Sequence, residues 1–209
     1  MLDRLARRLV DPLLEPVATM LASLEVPATA LTVTGFAVGM SGCVAIALGH
    51  YQLGLILIAI NRLADGLDGA VARRTQITDL GGFLDIVLDL IFYASVPLGF
   101  GYVDPERNLL AASFVIHSFM GSSGSFLAAA ILSAKRGVTT GWQGRKSFYY
   151  HTGLMEGSET ILYMAVCCLF PAHFAVFSWI FGALCWLTAL LRVAMVYTWH
   201  SENQNNTPS

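Results

Sequence analysis

Apolar residues run through this chain in long blocks separated by short polar connections. Six blocks cover about residues 28–49, 52–73, 80–102, 108–132, 153–170 and 172–199, and a helix of about 20 such residues crosses a bilayer. A bilayer offers the backbone no hydrogen-bond partner, so each crossing segment is predicted to be helical. Ahead of them, Leu2, Leu5, Leu9, Leu13, Val17, Met20 and Leu24 recur at helical spacing, with Arg4, Arg7 and Arg8 on another face. That pattern predicts an amphipathic helix lying in the membrane interface, kinked or broken at Pro12 and Pro16. The predicted fold is an all-α integral membrane protein: an interfacial helix over 1–25, a six-helix transmembrane domain over 26–200, and a polar, frayed tail over 201–209.

Composition supports this reading. Of the 209 residues, 56% are hydrophobic and only 12% charged, half the roughly 25% of a soluble domain, and the mean hydropathy is +0.63. The net charge of −2 gives no support to a nucleic-acid partner. Cys43, Cys167, Cys168 and Cys185 lie in apolar runs without ligand spacing and read as packed small hydrophobes. Residues 1–25 do not read as a cleavable signal, because Asp11, Glu15 and two prolines interrupt them. Arg4, Arg7, Arg8, Arg73, Arg74, Lys135, Arg136, Arg145 and Lys146 fall on one side of a six-span layout, against Arg107 on the other. By the positive-inside rule both termini are cytoplasmic.

The second and third spans hold polar residues that a membrane segment carries only for a reason: Arg62, Asp65, Asp68, Arg73, Asp85 and Asp89. At about 100° per residue, Asp65, Asp68, Gly69, Ala72 and Arg73 share an arc of roughly 140°, and Gly81, Asp85 and Asp89 share about 80° of the next helix. A short connection from Arg74 to Leu80 predicts an antiparallel hairpin, on which the four carboxylates converge. Such a group must take up protons or gather cations, and Mg²⁺ or Mn²⁺ suits oxygen ligands. A proton or sodium path in a transporter, or Asp–Arg pairs that fix helix packing, would use the same acids. Gly69, Ala72 and Arg73 shift the balance, since they leave the helix backbone open to a bulky ligand beside a cation shaped for a diphosphate.

The run Asp65-Gly-Leu-Asp68-Gly69-Ala-Val-Ala72-Arg73, then Gly81-Gly-Phe-Leu-Asp85-Ile-Val-Leu-Asp89, resembles the signature of the CDP-alcohol phosphotransferase (CDP-alcohol phosphatidyltransferase) family. That signature reads D-x-x-D-G-x-x-A-R, a spacer, then G-x-x-x-D-x-x-x-D. Thr29-Ala-Leu-Thr32-Val-Thr-Gly35 resembles the family's opening of the first span, and an interfacial helix plus six spans resembles its architecture. The chain departs from the pattern in its spacer: residues 74–80 are seven where the family usually has eight, a difference assigned to the loop.

The resemblance implies transfer of a phospho-alcohol from a CDP-alcohol, with CDP-diacylglycerol the expected donor, to an acceptor alcohol with release of CMP. Asp65, Asp68 and Asp85 would hold two divalent ions, Mg²⁺ or Mn²⁺, and Asp89 would complete the site and act as base. Gly69, Ala72, Arg73 and Gly81 would border the nucleotide and its diphosphate. A homodimer in a bacterial inner membrane is the implied setting. A soluble CDP-choline-like donor with a lipid acceptor uses the same signature, and an ion-coupled transporter is the non-enzyme alternative.

Acceptor identity is not legible. Lys135, Arg136, Arg145 and Lys146 would attract a phosphorylated acceptor or are ordinary positive-inside charges. Trp142, Phe148, Tyr149 and Tyr150 read as interfacial anchors, as does His151. Glu156 and Glu159, three residues apart and one to two turns inside the fifth span, would bind an acceptor. Otherwise they pair with Arg192 or Arg62, or sit in water at the site's mouth. Arg192 is a further acceptor candidate, and Gly121-Ser-Ser-Gly124 reads as close helix packing.

Overall fold

The computed structural model describes residues 2–135 and 155–205, with side chains over 12–135 and 155–198. Among these residues every regular element is helical: α1 (Leu2–Ser23), α2 (Ala28–Ala47), α3 (Tyr51–Arg74), α4 (Asp79–Val103), α5 (Pro105–Lys135), α6 (Gly157–Leu169) and α7 (Phe174–Asn205), with one 3₁₀ turn, Pro171–His173. Four segments are long and apolar enough to cross a membrane: α2, α4, α5 and Pro171–Thr198. The charges of the candidate site interrupt α3, and α6 has only 13 residues, a rise of about 20 Å. The fifth apolar block was expected to start near residue 153, yet the helix begins at Gly157.

The surface is that of a membrane protein. Val44, Leu53, Ile56, Leu110, Met120, Ile131, Val176, Ile180 and Leu190 are exposed along the helices, an arrangement that water would penalise and lipid does not. Inside, aromatic rings stack: Phe100 on Phe174 with centroids 4.5 Å apart, and Tyr163 on Phe181 at 4.3 Å. The Tyr163 hydroxyl is 2.8 Å from that of Ser178, so a buried polar end keeps a partner. All four cysteines are free and buried, as packed hydrophobes should be.

Residues of α2 organise the site. This helix packs against both α3 and α4, while α3 and α4 make little direct backbone contact with each other. The expected hairpin is therefore splayed, with α2 behind it and a cleft between its arms. Glycine permits the close approach: a Cβ on Gly39 would lie 2.9 Å from both the Asn61 side chain of α3 and the Phe92 ring of α4. One on Gly35 would lie 2.7 Å from Ala64 Cβ. Small residues of this kind let membrane helices pack backbone to backbone.

Helix α1 runs unbroken through Pro12 and Pro16, so the prolines do not break it. Both rings are on the exposed side, where the carbonyls they leave unbonded open outward rather than into the core. Its inner face buries Leu14 and Ala18, the latter against Ala70 and Val71 of α3. Arg74 fastens the end of α3 to α1 by an ion pair with Glu15 and a hydrogen bond of 3.2 Å to the Thr19 hydroxyl.

Candidate active site

The seven-residue spacer spans the connection between α3, which ends at Arg74, and α4, which begins at Asp79. Thr78 caps α4, its hydroxyl accepting from the Gly81 amide at 3.1 Å. Gly81 thus serves the helix start, packed on the Thr78 hydroxyl. From these ends the two helices carry their acids into the cleft, which is lined by Thr32, Gly35 and Phe36 of α2, Asn61, Arg62, Asp65 and Asp68 of α3, and Asp85, Leu88 and Asp89 of α4.

Three of the four acids gather. Asp65, Asp68 and Asp85 each bring a carboxylate oxygen within 4.8 Å of the others. Ionised oxygens at that spacing repel by about 3 kcal/mol per pair at an effective dielectric of about 20. Asp68 is buried, and its Oδ2 has no hydrogen-bond partner. A buried carboxylate oxygen left unpaired costs several kcal/mol, and a divalent cation bound by oxygen ligands removes both penalties. The donor set fits Mg²⁺ or Mn²⁺: hard oxygens from two helices, one acid buried and one, Asp85, facing the opening.

The fourth acid is held differently. Both oxygens of Asp89 accept from the Arg62 guanidinium, Oδ1 from Nη2 at 2.7 Å and Oδ2 from Nη1 at 3.2 Å. Arg62 also donates to the Tyr93 hydroxyl at 2.9 Å and to Asn61 Oδ1 at 2.8 Å. Its charge lies 4.8 Å from the Phe92 ring centroid and 3.6 Å from Asp65. Asn61 in turn donates to the Gly35 carbonyl at 2.9 Å. An Asp–Arg pair is among the roles the sequence allowed for Arg62, whereas Asn61 and Tyr93 carried no expectation. Helical spacing was the available signal, since Asn61 is four residues before Asp65 and Tyr93 four after Asp89.

Gly69, Ala72 and Arg73 continue the α3 face toward its end. A Cβ on Gly69 would approach only Arg73 Nη1, at 3.3 Å, so the backbone there is bare beside an exposed guanidinium. The acceptor candidates are scattered more widely. Arg192 of α7 donates to the Ser122 carbonyl at 2.7 Å and the Ser125 hydroxyl at 2.9 Å, tying α7 to α5. Glu156 and Glu159 stand at the very start of α6 rather than further along it. Glu156 is the N-cap of α6 and Glu159 lies in its first turn, and the two form a reciprocal capping box. Lys135 ends α5 and is exposed. Arg136, Arg145, Lys146, Trp142, Phe148, Tyr149, Tyr150 and His151 lie outside the described residues. Gly121 does serve close packing, its Cβ position 2.8 Å from Trp186, whereas Gly124 faces open space.

With three acids and an orphaned oxygen in one cleft, the comparison with known proteins is decisive. The family model of CDP-alcohol phosphatidyltransferases matches residues 25–200. The chain belongs to this family. Its members are CDP-alcohol phosphotransferases, and the signature of this chain is complete at all the motif positions. It is 50% identical to the inner membrane protein YnjF of Escherichia coli (strain K12) over 193 residues, 92% of this chain and 94% of that protein. It is 27% identical to the archaetidylinositol phosphate synthase of Pyrococcus horikoshii, over 92% of this chain and 95% of that enzyme. The fold is similar to that of Mycobacterium tuberculosis phosphatidylinositol phosphate synthase solved with manganese and citrate, with a TM-score of 0.70 at 20% identity, covering 88% and 89% of the two chains. A second structure of that synthase, with CDP-DAG bound, gives a TM-score of 0.65 over 88% and 94%.

Proposed function

We propose that this protein transfers a phosphatidyl group from CDP-diacylglycerol to an acceptor alcohol, releasing CMP, in phospholipid synthesis. The observation that carries the reading is the Asp65–Asp68–Asp85 cluster with its partnerless Asp68 Oδ2, in a chain of this family. A structural neighbour with CDP-DAG bound supports the donor.

Asp65, Asp68, Asp85 and Asp89 would hold two divalent ions, which would supply Lewis-acid stabilisation of the diphosphate charge. Gly69 and Ala72 leave room for the nucleotide against α3, with Gly81 bordering it from α4, and Arg73 meets phosphate at the mouth. Asp89 takes the proton of the acceptor hydroxyl. The freed oxygen attacks the phosphorus of the phosphatidyl group, a new P–O bond forms, and the bond to the CMP phosphate breaks, CMP leaving with the electron pair. Such in-line displacement depends on positioning and charge stabilisation more than on covalent help from the protein.

We infer that the acceptor meets Arg192, Glu156 and Glu159 and that Lys135 supplies positive charge; Arg145 and Lys146, further candidates for that charge, lie outside the described residues. A phosphorylated polyol suits that charge, and two relatives are named archaetidylinositol phosphate synthase. In the layout we favour, 26–200 forms one domain, α2 to α7 cross a bacterial inner membrane and α1 lies in its interface. Short α6 is accommodated by local thinning, both termini are cytoplasmic, and two copies form a homodimer. The test is CMP release by purified protein with Mn²⁺, CDP-diacylglycerol and a panel of acceptors. Release with a phosphorylated polyol is expected. Release only with CDP-choline and diacylglycerol would reverse the donor assignment, and no release from any pair would refute the activity.

A further inference from the structure

Among the described residues Arg62 is the one basic side chain lining the cleft, and the fold goes to some length to fix it. Its Nε is held by Asn61, which is itself anchored on the Gly35 carbonyl. Nη1 is held by Tyr93, and the guanidinium lies over the rings of Phe92 and Tyr93 at 4.8 and 5.1 Å. The side chain is only 11% exposed. So placed, it takes both oxygens of Asp89 in a fork, the geometry that gives arginine–carboxylate pairs their strength. The other three acids meet one another without Asp89. The fork occupies one acceptor site on each Asp89 oxygen and offsets its charge, which weakens it as a ligand for a second cation.

We propose that Arg62 is a positioning residue that withholds Asp89 from metal in the donor-free enzyme. The resting site then takes one divalent cation on Asp65, Asp68 and Asp85. Asp89 joins a second only when the donor's diphosphate draws the guanidinium away. Arg62 thereby links occupancy of the complete site to the presence of the nucleotide, and the proposal rests on the metal reading given above. A guanidinium trades one oxyanion partner for another at small cost, since both offer charge-assisted hydrogen bonds.

Mn²⁺ titration of the full chain in lipid nanodiscs, with free Mn²⁺ followed by electron paramagnetic resonance, reads this directly and needs no turnover. Wild type should bind one ion per chain without nucleotide and two with CDP-diacylglycerol. Arg62→Gln should bind two without nucleotide. If that variant fails to fold, Arg62→Lys keeps the charge but not the fork, and its second ion should bind about tenfold tighter than in nucleotide-free wild type. Two ions in nucleotide-free wild type, one ion in both wild-type conditions, or a second-ion affinity unchanged in the folded Arg62 variants would each overturn the proposal. Folded Asp68→Ala that binds Mn²⁺ as well as wild type would instead overturn the metal site on which it rests.

Discussion

Asn61 of α3 and Gly35 of α2 are joined by a hydrogen bond of 2.9 Å from the buried side-chain amide to a main-chain carbonyl. It is an interhelical bond made in an apolar setting, and it also orients Asn61 Oδ1 toward the Arg62 Nε. Asn61→Leu should lose about 1–2 kcal/mol of stability, read as a lower thermal midpoint of the purified protein, and activity should fall further than stability alone requires. Unchanged midpoint and activity would mean that the bond neither holds α2 to α3 nor sets the guanidinium.

The Gly39 contact makes a sharper packing test. Gly39→Ala forces a methyl to within 2.9 Å of Asn61 and Phe92, and overpacking of this kind costs about 1–3 kcal/mol. Gly124→Ala meets nothing within 4 Å and should be neutral. Equal thermal midpoints for the two variants would contradict the close approach of α2 to both arms of the cleft.

Much of this was legible in the amino-acid pattern, for identifiable reasons. The apolar blocks coincide closely with α2, α3, α4, α5 and α7, and four of them give segments long and apolar enough to cross a membrane. Asp65, Asp68 and Asp85 meet as expected, since helical period and a short connection leave few alternatives. Three things were not visible. Continuity of α1 through Pro12 and Pro16 depends on which way the freed carbonyls face. The start of α6 at Gly157 is set by the Glu156–Glu159 cap, a motif that reads equally well as two acids on one face. The bidentate pairing of Asp89 with Arg62 is a tertiary choice of partner, made with Asn61 and Tyr93, that is not written in spacing.

The glutamates at α6 separate a structural role from an acceptor role. Glu159→Gln keeps a capping box, so the thermal midpoint should stay at the wild-type value while the acceptor KM rises. Glu156→Ala removes the cap and should cost about 1 kcal/mol. A Glu159→Gln protein with unchanged acceptor KM would confine this pair to helix capping.

Topology is open to labelling, because the native cysteines are buried. In the proposed orientation a cysteine at Gln76, in the exposed α3–α4 connection, should react only from the cytoplasmic side. One at Glu106, exposed at the start of α5, should react only from the other. Reaction of both from one side would overturn the assignment of α4 as a crossing helix.

CMP release from CDP-diacylglycerol by Asp68→Ala tests the central claim most directly. Asp68 brings the buried, partnerless oxygen to the cluster, so its loss should lower turnover by about a hundred- to a thousandfold, as removal of a group that stabilises transition-state charge does. The variant should remain folded and membrane-inserted, and Asp89→Asn, also inactive, should retain more nucleotide binding than it does. Near-normal CMP release by folded Asp68→Ala would contradict the account.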